Sequence, residues 1–132
     1  MNLNELRIGI YIADWHYDFY EDEIFQGLTF EERELTFEDM DLINSKDMYA
    51  FYQPIMINHD WLIKLSITPL LESEPSIYDV EEYPFGFLAK ESEGFGYYFT
   101  FQSQRISKKL LFIHELQNFV FSSTGNELKI KS

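Results

Sequence analysis

FGFLAKESEGFGYYFTFQ, residues 85 to 102, is the stretch that decides how the chain folds. Phe85, Phe87 and Ala89 share one parity before its middle, and Phe95, Tyr97, Phe99 and Phe101 share one after it. A period of two is the spacing of a strand with one buried face. The intervening KESEG makes a polar turn in which Gly94 can take a positive φ without strain. The reading is a β-hairpin whose aromatic residues form a core-facing wall. A base-stacking platform would need basic side chains beside the rings. The nearest cluster, Arg105, Lys108 and Lys109, lies beyond the strand.

Downstream, KLLFI at 109 to 113 is a short apolar strand or the lead-in to a helix, and HELQNFVFSSTG at 114 to 125 carries the helical rhythm. Ile113, Leu116, Val120 and Ser123 follow the core-facing period with Phe119 beside them. Gly125 stands where a left-handed residue ends a helix, and Glu127 to Ile130 read as a returning strand. His114, Gln117, Asn118 and Phe121 form a second stripe, which reads as a solvated flank ahead of a contact surface.

Upstream, PLLESEPSIYDVEEYP at 69 to 84 holds three of the four prolines and five acids, which predicts a loop or lid. Residues 58 to 66 predict a short helix: Asn58 is a good N-cap, Asp60 suits the first turn, and Trp61, Leu62 and Leu65 share a face. Nearer the N-terminus, LRIGIYIA at 6 to 13 alternates Ile8, Ile10 and Ile12 against Arg7, Gly9 and Tyr11, the pattern of a half-buried strand. DWHYDFYEDEIF follows as a second strand or an extended loop. The echo LTFEE (28 to 32) and LTFED (35 to 39) reads as strands with acidic turns. The expected fold is α+β: one domain, a mainly antiparallel twisted sheet, a C-terminal helix and a short central helix. Its parts are an acidic β-rich segment (1–53), the central helix and loop (54–84), and the hairpin with the C-terminal helix (85–132).

A chain of 132 residues suits one domain, and 45% hydrophobic residues is ordinary for a folded one. Its 24 aromatics, thirteen of them Phe, supply large buried areas. The absence of cysteine removes disulfides, thiolate nucleophiles and cysteine-ligated metals, and agrees with a reducing cytoplasm. No basic leader followed by an apolar run opens the chain, and no apolar stretch approaches the roughly 20 residues that span a bilayer. Neither secretion nor a membrane setting is expected.

Charge is the strongest compositional feature. The net −13 is unevenly spread: residues 1 to 93 hold 21 acids against five bases, and residues 94 to 132 hold two acids against five bases. Direct nucleic-acid binding through the first part would be repulsive, because such binding rests on Lys and Arg displacing counterions. A basic protein surface is the favoured partner.

Three pieces resemble a family of small proteins from Bacteroidota genomes and their phages: LRIG at 6 to 9, PIMINHDWLIKLSI at 54 to 67, and FIHELQNFVFSSTGNELKI at 112 to 130. That family opens with an LRIGN-like strand, carries PI-x-LT-x-EWL-x-x-FGF in its middle and ends in VHxLQNLYFALTGEEL. The matching pieces cover about a third of the chain, and the last is the most specific, since Leu-Gln-Asn and Thr-Gly keep their spacing. Ser66-Ile67 stand where the family has Gly-Phe, and the acidic span between 14 and 47 has no counterpart there. The resemblance implies a genetic setting, with the shared motif as scaffold and the divergent acidic span as the source of this chain's own function.

Enzymatic chemistry finds little support in the sequence. His16, His59 and His114 are far apart, and no metalloprotease, nucleophile-elbow, phosphate-loop or dinucleotide fingerprint occurs. Asp14, His16, Asp18, Glu21 and Glu23 are metal-capable residue types, but the stretch lacks the glycine and ligand spacing of a calcium loop. No cofactor is expected, and His114 reads as a helix-start residue with a satisfied hydrogen bond. Two non-enzymatic classes remain. The first is an inhibitor of a basic nucleic-acid-binding protein, in the manner of anti-CRISPR and other anti-defence proteins, with an RNA-guided nuclease as target. Its contact set would be the acids Asp14, Asp18, Glu21, Asp22, Glu23, Glu31, Glu32, Glu38 and Asp39, with Trp15, Tyr17, Phe19 and Tyr20 as anchors. The second is an accessory or structural component of a mobile element, its acidity serving only solubility.

Overall fold

In the computed structural model the described residues are 6–7, 9–19, 26–46, 52–73, 75–92 and 94–130; at 14–19, 26–30, 42–46 and 52 the backbone alone is described. The chain is α+β, with antiparallel sheets and three helices among the described residues, and divides into two compact units, residues 1–55 and 56–132.

The first unit holds a three-stranded sheet in the order β2-β1-β3, from β1 (Tyr11–Phe19), β2 (Gln26–Glu34) and β3 (Tyr52–Pro54), with helix α1 (Phe37–Lys46) between β2 and β3. The first expected strand thus starts later than its alternation implies. Gly9 turns in the left-handed region at φ 99°, and the ladder begins at Tyr11. Two backbone bonds hold that turn: Gly9 donates to the Leu35 carbonyl (2.9 Å), and Leu35 donates to that of Ile10 (2.7 Å). Ile10, Ile12 and Leu35 are sealed from solvent with Leu6, and Met40 of α1 packs on the cluster. Ile8 lies outside the described residues.

The echoed pentapeptides adopt different structures. Residues 28 to 32 run inside β2, paired with β1 from Tyr17↔Leu28 to Ala13↔Glu32. Residues 35 to 39 end the strand and begin α1, so the second strand expected there is a helix start. Thr36 caps it: its Oγ1 accepts from the Asp39 amide (3.3 Å), and Asp39 Oδ2 accepts from the Thr36 amide (2.8 Å). This reciprocal arrangement satisfies amides that the first helical turn would leave without partners.

The second unit is a five-stranded antiparallel meander in chain order: β4 (Thr68–Pro69), β5 (Ile77–Asp79), β6 (Phe87–Lys90), β7 (Tyr97–Phe101) and β8 (Gln104–Arg105). Helix α2 (His59–Lys64) precedes it and α3 (Ile113–Thr124) follows. α2 matches its sequence: Asn58 Oδ1 accepts from the Trp61 amide at 2.9 Å, and Trp61, Leu62 and Leu65 are buried. The expected loop or lid at 69 to 84 is mostly irregular among the described residues, but it contains strand β5 at Ile77–Asp79. Tyr78 pairs with Leu88 and, like Val80 and Tyr83, is buried. Pro69 is tolerated because β4 is an outer strand, where a missing amide breaks no inner ladder.

The hairpin forms with Leu88↔Phe99 and Lys90↔Tyr97 in register and Gly94 at φ 89° in its turn. Its aromatic wall is shorter than the alternation predicts. Tyr97 and Phe99 are buried, whereas Phe85, Phe87, Phe95 and Phe101 are exposed. Leu88 of β6 is fully buried and leaves Phe87 exposed on the opposite parity, where the small Ala89 is also covered. Gly86 permits the strands to meet there, because a Cβ would fall 2.2 Å from the Thr100 carbonyl oxygen.

α3 lies on this sheet through rings: Phe119 stacks on Phe99 (centroids 4.9 Å) and meets Tyr83 (5.5 Å). Ile113, Leu116 and Val120 are fully buried, and Ser123 is exposed. Glu115 Oε1 accepts from the Leu111 and Phe112 amides at the helix start, and Gly125 at φ 78° ends the helix. Residues 127 to 130 are not strand; Leu128 is buried all the same. The second stripe is a solvated flank only in part: Phe121 is exposed and Asn118 half-buried. His114 and Gln117 are buried, and Gln117 Nε2 donates to the Leu128 carbonyl at 2.9 Å.

Candidate functional site

The first unit carries 13 acids against three bases, so −10 of the net −13 resides in it. β1 is its central strand and carries Asp14, Trp15, Tyr17, Asp18 and Phe19 in the ladder. Register separates the two residue types. Asp14 and Asp18 alternate with Trp15, Tyr17 and Phe19; Asp14 sits opposite Glu31, Trp15 opposite Phe30 and Tyr17 opposite Leu28. Asp14 thus faces an acid, and Trp15 and Tyr17 face apolar residues, whereas Asp18 faces Gly27 and Phe19 faces Gln26. Tyr20, Glu21, Asp22 and Glu23 lie outside the described residues.

Within this unit the carboxylates whose side chains are described lie at the end of β2 and in the first turns of α1. Glu31, Glu32, Glu34, Glu38 and Asp41 are all exposed within 11 residues. Glu34 and Asp41 were not in the expected set. Glu34 continues the alternation of Glu32, and that spacing is the signal by which it can be found. β2 is an outer strand, and successive residues there project to opposite sides, so Glu31 and Glu32 flank the strand instead of tiling one flat face. Acids on an outer strand also oppose pairing with a further strand.

Asp39 does not belong to this surface. It is 4% exposed, and its carboxylate is held by Arg33 through Nη1–Oδ2 (2.6 Å) and Nη2–Oδ1 (2.7 Å), with Thr36 donating from both its amide and hydroxyl. Its presence in the contact set is corrected on that ground: a carboxylate engaged by four donors and hidden from solvent is structural. Arg33 Nε also lies 3.9 Å from Glu31, so the one base inside the acidic run is turned to intrachain use.

The second unit has a cleft of about 240 Å³ between the start of α2 and the β6–β7 hairpin. Met56, His59, Tyr78, Lys90, Phe95 and Tyr97 are among its walls. His59 Nδ1 is 3.0 Å from the Tyr78 hydroxyl, which also reaches the Pro75 carbonyl at 3.3 Å. Burial raises the Tyr78 phenol above its ordinary pKa, and burial together with nearby Tyr78 raises that of Tyr97. Both remain hydroxyl donors at neutral pH. The sequence drew attention to none of these residues as a group, since they come from four separate segments.

Among the described residues no three of His, Asp or Glu gather to hold a metal ion, and the metal-capable stretch at 14 to 23 falls on positions whose side chains are not described. Among them, too, no helix is long and apolar enough to cross a membrane. Compared with protein-family models, with curated proteins and with solved structures, the chain matches none.

Proposed function

We propose that this protein is a non-enzymatic inhibitor that binds a basic, nucleic-acid-handling protein, with carboxylates taking the places of phosphates. The setting implied by the sequence resemblance makes an anti-defence, anti-CRISPR-like role against an RNA-guided nuclease the form to test first. The observation that carries the reading is the run of exposed Glu31, Glu32, Glu34, Glu38 and Asp41 in a unit of net charge −10, whose internal base Arg33 is turned onto Asp39. A ridge of negative charge at an outer strand suits a cationic groove that normally holds a nucleic-acid backbone. Alternating apolar positions at Trp15, Tyr17 and Phe19 in the neighbouring strand supply anchor-type residues for such a contact.

The test is capture of purified RNA-guided nuclease by the immobilised full chain, with and without guide RNA, across a salt series. Binding should weaken as salt rises, since exposed charges are screened within about 8–10 Å at physiological ionic strength. Reversal of Glu31, Glu32 and Glu38 to Lys should abolish it. Retention by that triple variant sinks the acidic-ridge mechanism. Recovery of the chain alone from host lysate, with salt-insensitive self-association, favours the accessory-component reading.

A further inference from the structure

The cleft in the second unit is chemically unlike the acidic first unit. The chain has 23 acidic residues among 132, yet none of the described residues lining the cleft is an acid, and one is a lysine. Lys90 is exposed and has no ion-pair partner among the described residues. Around it stand rings and thioether: Tyr97, Phe95, which is 74% exposed, and Met56, which is 51% exposed. Large apolar side chains left open beside a cation form a mixed recognition surface.

Size narrows the occupant. The volume of about 240 Å³ is above the roughly 150 Å³ that accepts benzene and below the range, from about 300 Å³, that suits drug-sized ligands. A single ring with one or two substituents fits; a nucleotide does not. Polar groups narrow it further. His59 Nδ1 is engaged with the Tyr78 hydroxyl, while the Tyr97 hydroxyl has no hydrogen-bond partner among the described residues. An acceptor-rich, negatively charged group therefore meets Lys90 and the Tyr97 hydroxyl, with no opposing carboxylate among the described residues.

We propose that this cleft binds a small aromatic carboxylate, its ring against Phe95, Tyr97 and Met56 and its acid group against Lys90. The inference is independent of the inhibitor reading, which concerns the other unit.

Amide spectra of the full ¹⁵N-labelled chain, titrated with benzoate, benzyl alcohol and acetate, test it. Benzoate should produce saturable shifts at Gly94, Gly96, Tyr97 and Tyr78 with a millimolar or tighter Kd. Benzyl alcohol and acetate should bind more weakly, each lacking one of the two recognition elements. Lys90→Met should weaken benzoate on the order of fivefold, the size of one exposed charge pair, and leave benzyl alcohol unchanged. Phe95→Ala, at a solvent-exposed turn position where folding is not at risk, should weaken both ring compounds. Shifts that do not saturate by about 20 mM, that spread over the molecule, or that persist unchanged in Lys90→Met overturn the site. Acetate binding as well as benzoate overturns the aromatic part of it.

Discussion

The Arg33 guanidinium and the Asp39 carboxylate meet as a fork on a fork, at 2.6 and 2.7 Å, across the junction between β2 and α1. Six residues separate them, and the bond joins the end of a strand to the first turn of the helix that follows. Bidentate geometry of this kind is directional, so it fixes the angle at which the chain leaves the sheet. Asp39 serves two roles at once, since the oxygen that receives Arg33 Nη1 also caps Thr36.

Asp39→Ala should therefore cost more than Arg33→Met. The first leaves a partly buried guanidinium and the Thr36 amide without their acceptor, at about 2–3 kcal/mol; the second removes one charge from a carboxylate that keeps the Thr36 donors, at about 1 kcal/mol. Urea denaturation, with amide exchange read separately on peptides of residues 1–55 and 56–132, checks both size and location. Equal losses, or a loss seen in the second unit alone, would refute this account.

Ser66 gives a second prediction. It is held at φ 61°, with its amide bonded to the Ile63 carbonyl (2.9 Å) and the Ile67 amide to that of Leu62 (2.8 Å), the paired bonds of a left-handed helix stop after α2. Glycine adopts that conformation without Cβ strain. Ser66→Gly should raise stability by about 0.5–1 kcal/mol, the relieved strain exceeding the added freedom of the unfolded chain. A lowered thermal midpoint would show that the serine side chain contributes something the backbone geometry does not capture.

What could be read from sequence follows a physical divide. The Asn58 cap, the Gly125 stop and the Leu116–Val120 face were legible because each depends on residues within one or two turns. The two LTFE segments were not separable on local grounds: each has an acid three residues after its threonine, and pairing with β1 claims the first for a strand. Three prolines in residues 69 to 84 suggest a loop, but an outer position in the meander accommodates Pro69 within β4. The acidic run was visible from its charge, whereas the removal of Asp39 from it depends on a partner chosen by the fold. The cleft was illegible for the same reason, being assembled from residues as distant as Met56 and Tyr97.

Gln117 carries the third prediction. Although polar, it is fully buried, and its Nε2 donates 2.9 Å to the carbonyl of Leu128, itself buried beyond the helix end. That bond tethers the segment after Gly125 to α3. Gln117→Leu keeps the volume and removes the donor, so stability should fall by about 1–3 kcal/mol, with faster amide exchange over residues 126 to 130 than in the β6–β7 hairpin. Uniform acceleration through the whole second unit would point to disturbed packing and away from a lost tether.

Alkaline pH supplies the last prediction, through Tyr78 and Tyr97. Burial raises both phenols, so the native chain holds their protons to higher pH than the unfolded chain does. Below about pH 10, the ordinary tyrosine value, both states are protonated and no penalty arises. Above it the unfolded state ionises first and binds fewer protons, so stability declines as pH climbs towards the native pKa values. Tyr97→Phe removes one of the two groups. Each protein is compared with its own value near pH 8, at salt high enough to screen the general negative charge. The variant should then lose less stability between about pH 9 and 11, measured by urea midpoints. Parallel declines would mean that the two hydroxyls are as free to ionise in the folded cleft as in the open chain.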